Sequence, residues 1–170
     1  MDFFAAVKDR HSYRGPFQEK ALPDADIRQI LQAGLDAPSG LNLQTTSFWV
    51  VKNLQLRQEI AALLPSPATK TAPVILVAAS EKVVKNGMCF EVEDYAAAVE
   101  NVLLAAVALG YGAVWMDGMT RADEVNTKIA ALLQIPTNKT VRTVIPLGVP
   151  MDSVTAQKKK SYEERVTVVE

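Results

Sequence analysis

Along the first residues, Phe3, Phe4 and Val7 fall on one side of a short helix over Asp2 to Asp9, the spacing that marks helical periodicity. The segment Arg10-His11-Ser12-Tyr13-Arg14 follows and ends at Gly15-Pro16, a loop signal. Ile27, Ile30, Leu31 and Leu35 then recur three and four residues apart, behind Asp24 or Asp26, either of which can cap a helix. That helix must stop near Ala37-Pro38, because a residue before proline is pushed off helical angles. Ser39 to Thr46 reads as a polar loop and Ser47-Phe48-Trp49-Val50-Val51 as a strand. Asn53 can cap a helix carrying Leu56, Ile60, Leu63 and Leu64. Pro65, Pro67 and Pro73 break the chain before Val74-Ile75-Leu76-Val77-Ala78-Ala79, a run suited to a strand buried on both faces.

From Glu81 to Glu93 the chain is polar and shows no clear period. Behind Asp94, Tyr95 to Leu109 is the strongest helix, with Val99, Val102, Leu103, Leu104, Ala106 and Val107 spread nearly all round. A helix that apolar is normally buried, and its alanines let a neighbour approach closely, another subunit being one candidate. Gly110-Tyr111-Gly112 ends it, glycine suiting a left-handed cap. Ala113-Val114-Trp115-Met116 is a short strand, and Thr120 with Asp123 resembles a capping box for a helix bearing Val125, Ile129, Leu132 and Leu133. Val141 to Val149 is a last strand. The tail turns basic at Lys158-Lys159-Lys160 and apolar at Val166-Thr167-Val168-Val169. Helices and short strands alternate with neither a βαβ rhythm nor an internal repeat, which predicts one α+β domain over residues 1–170.

Composition narrows the function. With 49% hydrophobic and 22% charged residues, the chain can build a core rather than stay disordered. Its net charge of -1 argues against a nucleic-acid partner, which would select a basic domain. No window reaches the roughly 20 apolar residues of a membrane span, and the early Asp2 is unlike a signal peptide. The expectation is a cytoplasmic protein with no membrane partner. Cys89 is the only cysteine and reads as a packing residue, so neither a disulfide nor a multi-cysteine metal site is expected.

Four segments could carry chemistry. Arg10, Ser12 and Arg14, with His11 among them, offer two guanidinium forks and a hydroxyl suited to a phosphate, or else form a solvated basic turn. His11 is the sole histidine, which leaves little support for a metal site or a serine–histidine triad. Pro38-Ser39-Gly40-Leu41-Asn42-Leu43-Gln44 offers short hydroxyl, amide and backbone donors, with glycine allowing a flat ligand close to the main chain; an ordinary turn is the plainer account. Trp115-Met116-Asp117-Gly118 either frees backbone N–H groups for a ligand or is simply a strand end. The lysines at 158–160 read as a solvated face unless folding sets them beside the first cations. Gly110-Tyr111-Gly112 lacks a third glycine and follows a helix, so a Rossmann nicotinamide site is disfavoured.

In order and spacing these segments resemble the nitroreductase family of FMN-dependent oxidoreductases. The resemblance runs from Arg10-His11-Ser12-x-Arg14 through Leu22-Pro23 and Ala37-Pro38-Ser39-Gly40-x-Asn42-x-Gln44 to the helix from Asn101 to Gly110 and the strand Val144-Ile-Pro-Leu-Gly148-Val-Pro150. It implies a three-layer α+β fold, a central, mostly antiparallel sheet flanked by helices, in an intertwined homodimer with FMN at each of two interface sites. It also implies that Arg10, Ser12 and Arg14 contact the phosphate and flavin edge with His11 among them. Pro38, Ser39 and Gly40 would reach the flavin from the other subunit, with Asn42 and Gln44 in the same motif. Asp117 and Gly118 would face the ring near N5, and Lys158 and Lys160 would close around the phosphate. The implied activity takes hydride from NAD(P)H and passes it to an electron-poor small molecule in a ping-pong cycle. Two departures stand out. Thr45-Thr46 replaces a common Pro-Trp, and Lys160 replaces a common arginine, a point charge in place of a fork. The stretch at 80–93 is also short, which implies an open pocket.

Overall fold

The apolar run before residue 80 becomes the middle of a sheet, and the alternation of its side chains divides the core in two. The computed structural model describes residues 1–154 and 157–170. In chain order its elements are α1 (Phe3–Asp9), α2 (Asp24–Leu35), β1 (Thr46–Val51), α3 (Leu54–Leu63), α4 (Pro67–Thr71), β2 (Val74–Glu81), α5 (Glu91–Ala108), β3 (Gly112–Ala113), α6 (Val125–Leu132) and β4 (Lys139–Gly148), with 3-10 turns at Gly40–Asn42 and Gly118–Arg121. The strands pair antiparallel in the order β1-β2-β4-β3.

Successive strand residues point to opposite faces, and β2 follows the rule. Ile75, Val77 and Ala79 pack with Ile60, Leu64, Ala68 and Ile129 from the side of α3, α4 and α6. Val74, Leu76 and Ala78 pack with Ile27, Ile30, Val99, Val102 and Ala106 from α2 and α5 on the other side. The result is the expected three-layer α+β arrangement. The close neighbour of the alanine-rich helix is α2 of the same chain: a Cβ added to Gly34 would lie 2.6 Å from Val102 Cγ2 and 3.1 Å from the Ala98 carbonyl oxygen.

Several local expectations need correction. The residue before α2 is Pro23, which makes no side-chain cap; Asp24 and Asp26 sit inside the first turn, where their charge favours the helix dipole. The proline-broken stretch contains α4, because Pro67 occupies the first helical turn, where its missing N–H is no loss. Ser66 and Thr69 close a capping box around that turn. The long helix starts at Glu91 rather than after Asp94. β3 is only two residues long, and Met116 makes a separate bridge to Val144. Thr120 and Asp123 form no capping box. Thr120 is spent on the Asp117 and Arg142 carbonyls, and α6 starts behind Glu124, itself left-handed at φ 57°. The apolar tail has no regular structure, and Val168 and Val169 are 71% and 90% exposed in the single chain.

Candidate functional site

After α1 the chain is extended, and alternation decides which side chains of the basic segment are available. Tyr13 is buried, so its neighbours Ser12 and Arg14 point away from the core. Ser12 bridges Ala113 in parallel, and the Tyr13 N–H donates to the Ala113 carbonyl at 2.9 Å. The Tyr13 hydroxyl donates to the Pro16 carbonyl at 2.5 Å and accepts from the Met151 and Asp152 N–H groups at 3.1 and 3.4 Å. One buried tyrosine therefore clamps the basic segment to β3 and to the start of the tail. Arg10 Nε lies 3.2 Å from Glu100 on α5, a half-exposed ion pair of the weak kind, so its guanidinium remains available to another anion. His11 Nδ1 donates to the Asp9 carbonyl at 2.9 Å. Ser12 is half-buried and Arg14 exposed, and their side chains make no hydrogen bond among the described residues.

Ala113, which pairs with Ser12, lies on the edge strand β3, and Asp117 and Gly118 follow four and five residues later. The Asp117 carboxylate accepts from Arg121 Nε at 2.7 Å, Arg121 Nη2 at 2.6 Å and the Tyr95 hydroxyl at 3.2 Å. Its carbonyl accepts from the Thr120 N–H at 2.9 Å and the Thr120 hydroxyl at 2.6 Å. The N–H groups of Asp117 and Gly118 donate to nothing among the described residues, and a Cβ on Gly118 would meet open space. Burial, then the Asp117 charge, pushes the Tyr95 hydroxyl above its ordinary range, so it stays a donor. Tyr95 meets Trp115 edge-on at 6.0 Å.

The 38–44 loop is tied down at the start of α5. The Asp94 carboxylate accepts from the Gly40 N–H at 2.7 Å and from the Thr45 hydroxyl at 2.8 Å. The Ser39 hydroxyl accepts from the Gln44 N–H at 3.0 Å. Leu41, Asn42 and Gln44 all have φ near +50°, and a Cβ on Gly40 would lie 2.3 Å from the Phe90 ring. Only glycine allows that approach. Pro38, Asn42 and Gln44 are exposed. Within one chain this loop makes no hydrogen bond to Arg10–Arg14 among the described residues. Lys158 and Lys160 are likewise exposed and unattached to that segment. Because Asp152 is fixed to Tyr13, however, Lys158 is tethered within roughly 20 Å of it.

A third polar group lies behind the turn. Arg142 Nη2 lies 2.6 Å from Glu91 Oε1, Arg142 Nε donates to Ser80 Oγ at 2.8 Å, and Ser80 Oγ donates to Glu91 Oε2 at 2.8 Å. Burial pushes the Glu91 carboxyl up, but the Arg142 and Ser80 hydrogen bonds and the Arg142 charge together outweigh it and hold it below the ordinary range. Tyr13, Asp94, Tyr95, Thr120, Arg121 and Arg142 are thus structural residues of the site that the sequence reading did not select. Only Asp94, an acid at the head of an apolar helix, left a signal that could have found it.

Comparison with known proteins follows the same lines. The sequence model described as the nitroreductase family matches residues 7–69 and 61–149. A protein of Methanothermobacter thermautotrophicus, provisionally named an NADH dehydrogenase/NAD(P)H nitroreductase, is 34% identical over 154 residues, which cover 90% of this chain and 80% of that protein. A nitroreductase of Bacteroides fragilis solved with bound FMN aligns at TM-score 0.80 and 26% identity, covering 100% of both chains. A Bacteroides thetaiotaomicron structure, again provisionally named an NADH dehydrogenase/NAD(P)H nitroreductase, aligns at TM-score 0.86 and 25% identity over 96% of this chain and 95% of its own.

Proposed function

This chain belongs to the nitroreductase family, and from that premise we propose that it is an FMN-dependent NAD(P)H oxidoreductase acting on a small electron-poor acceptor such as a nitroaromatic or a quinone. The observation that supports the reading is the Ser12–Ala113 pairing, which ties the cationic segment to the edge strand four residues before a turn whose N–H groups are unused among the described residues. That donor set fits FMN: two guanidinium groups and a hydroxyl suit a phosphate dianion, and N–H groups unpaired among the described residues, beside a glycine with room for a Cβ, suit the edge of a flat heteroaromatic ring.

When bound, FMN supplies a hydride acceptor and donor at ring atom N5, chemistry that no side chain here provides. In this reading Arg10, Ser12 and Arg14 hold the phosphate with His11 beside them, and Lys158 and Lys160 close over it from the tail. Asp117 and Gly118 present N–H groups to the ring near N5, and Arg14 stabilises negative charge on the reduced ring. Pro38, Ser39 and Gly40 cover the ring from a second copy, with Asn42 and Gln44 shaping that loop. Donor and acceptor use one open face in turn, which makes the kinetics ping-pong. Purified protein is expected to show a flavin absorption spectrum that bleaches anaerobically on NAD(P)H addition. Colourless protein that neither binds added FMN nor oxidises NAD(P)H with it would overturn the assignment.

A single-domain protomer in a homodimer is part of the proposal. It is supported by exposed apolar side chains on α1 and the tail, with Phe4 81%, Val168 71% and Val169 90% exposed in the single chain; surfaces of this kind mark contact sites. Light scattering at micromolar concentration should give the mass of two chains, and the mass of one would refute it. No helix among the described residues is long and apolar enough to cross a membrane. A cytoplasmic location, with no nucleic-acid or membrane partner, completes the reading. Flavin storage without turnover is the second reading, favoured by the exposed connection at 82–90, where only Lys85 and Met88 pair. Tight FMN binding with no turnover across several donors and acceptors would select it.

A further inference from the structure

Asp117 is held on every side except the one its N–H faces. Both carboxylate oxygens receive the Arg121 fork, Oδ2 also receives the Tyr95 hydroxyl, and the carbonyl receives Thr120 twice. Thr120 in turn bonds the Arg142 carbonyl on β4 at 3.1 Å, which ties the turn to the sheet. Tyr95 cannot swing away, because it is buried between Trp115 and the Arg142 guanidinium, each 6.0 Å from its ring. A bidentate arginine on one carboxylate fixes orientation as well as charge.

We propose that Tyr95 and Arg121 are positioning residues for the redox site: acting through the Asp117 side chain, they lock the Asp117–Gly118 turn and cancel a carboxylate charge that would otherwise oppose reduction of the ring. The inference rests on the flavin reading above. A bare carboxylate beside a ring that gains negative charge on reduction raises the energy of the reduced state, and a partner cation removes most of that cost. Tyr95 adds no charge, so its part is geometric.

The test measures FMN affinity by fluorescence and the FMN reduction potential by anaerobic dye equilibration in three variants. The Arg121 side chain is 69% exposed, so Arg121→Gln should fold like the parent protein. It should bind FMN yet shift the equilibrium toward oxidised flavin by about tenfold, or about 30 mV for a two-electron couple. Adding Asp117→Asn should restore the potential, because the unpaired charge is then gone. Tyr95→Phe should weaken FMN binding severalfold with a smaller change in potential. An unchanged potential in FMN-loaded Arg121→Gln, or a double variant that stays low, would overturn the inference and leave the flavin assignment standing. Parent protein that binds no FMN would overturn the assignment, and this inference with it.

Discussion

Replacing Arg142 by methionine is expected to lower the free energy of unfolding by about 3 kcal/mol, the low end of the cost of breaking a buried ion pair on one side. The low end applies because the Arg142 side chain is 26% exposed, whereas that of Glu91 is only 10% exposed. For a chain of 170 residues that corresponds to a melting temperature lower by roughly 6–12 °C. Methionine keeps an unbranched apolar stem and deletes the guanidinium, with its charge, its donors and its place 6.0 Å from the Tyr95 ring. Glu91 is then a carboxylate with a single hydroxyl partner, and Ser80 loses the donor that orients it.

The same group fixes the sign of the pH dependence. In the parent protein the Glu91 carboxyl sits below its unfolded value, so its stabilising contribution is full above the unfolded pKa and is lost as pH falls through the lower, folded one. In Arg142→Met the Arg142 hydrogen bond and charge are gone, which leaves only Ser80 and the Lys82 charge against the burial cost, so the folded pKa of Glu91 rises from its parent position. Glu91 is then protonated at higher pH in the variant than in the parent, and the stability gap should narrow as pH falls through the carboxylate range. Chemical denaturation at several pH values, with unchanged m, measures this. A gap that stays constant with pH would show that Glu91 is not the group left without compensation.

These residues also show what could be read from the chain. The strand at 74–79 was legible because both of its faces are buried, so its apolar run needs no partner sequence to be recognised. The cap at Asn53 was legible for the opposite reason, since its partner, the Leu56 N–H, is three residues away. Failures fall where the deciding partner is distant. Glu91 looks like a loop residue, and Asp94 like no more than the head of a helix, until Arg142, 51 positions from Glu91, and Gly40, 54 from Asp94, are brought against them. Thr120 failed as a cap because Arg142 and Asp117 claim its hydroxyl. In the candidate site the cations could be read as a phosphate set, but their anchor could not. Tyr13 binds backbone groups 138 and 139 residues away, and no local pattern encodes that.

The second large effect is expected at Asp94. Alanine there leaves the Gly40 N–H and the buried Thr45 hydroxyl without an acceptor; an orphaned buried donor costs about 1–3 kcal/mol, so a loss of about 3 kcal/mol is expected for the pair. Asparagine keeps an acceptor for Gly40, and Thr45 can turn its hydroxyl to accept from the new amide. Its main loss is a charge in the first turn of α5, a cost of about 0.5 kcal/mol. The two variants therefore separate loop anchoring from helix stabilisation. If the 38–44 loop covers the flavin from a second copy, Asp94→Ala should also weaken FMN binding by more than tenfold, and Asp94→Asn by much less. Gly40→Ala adds a third arm: the Asp94 acceptors stay in place while the new Cβ forces Phe90 or the loop aside, so affinity should fall with a smaller loss of stability. Equal FMN affinities in all three variants would mean that the loop, however firmly held, does not touch the cofactor.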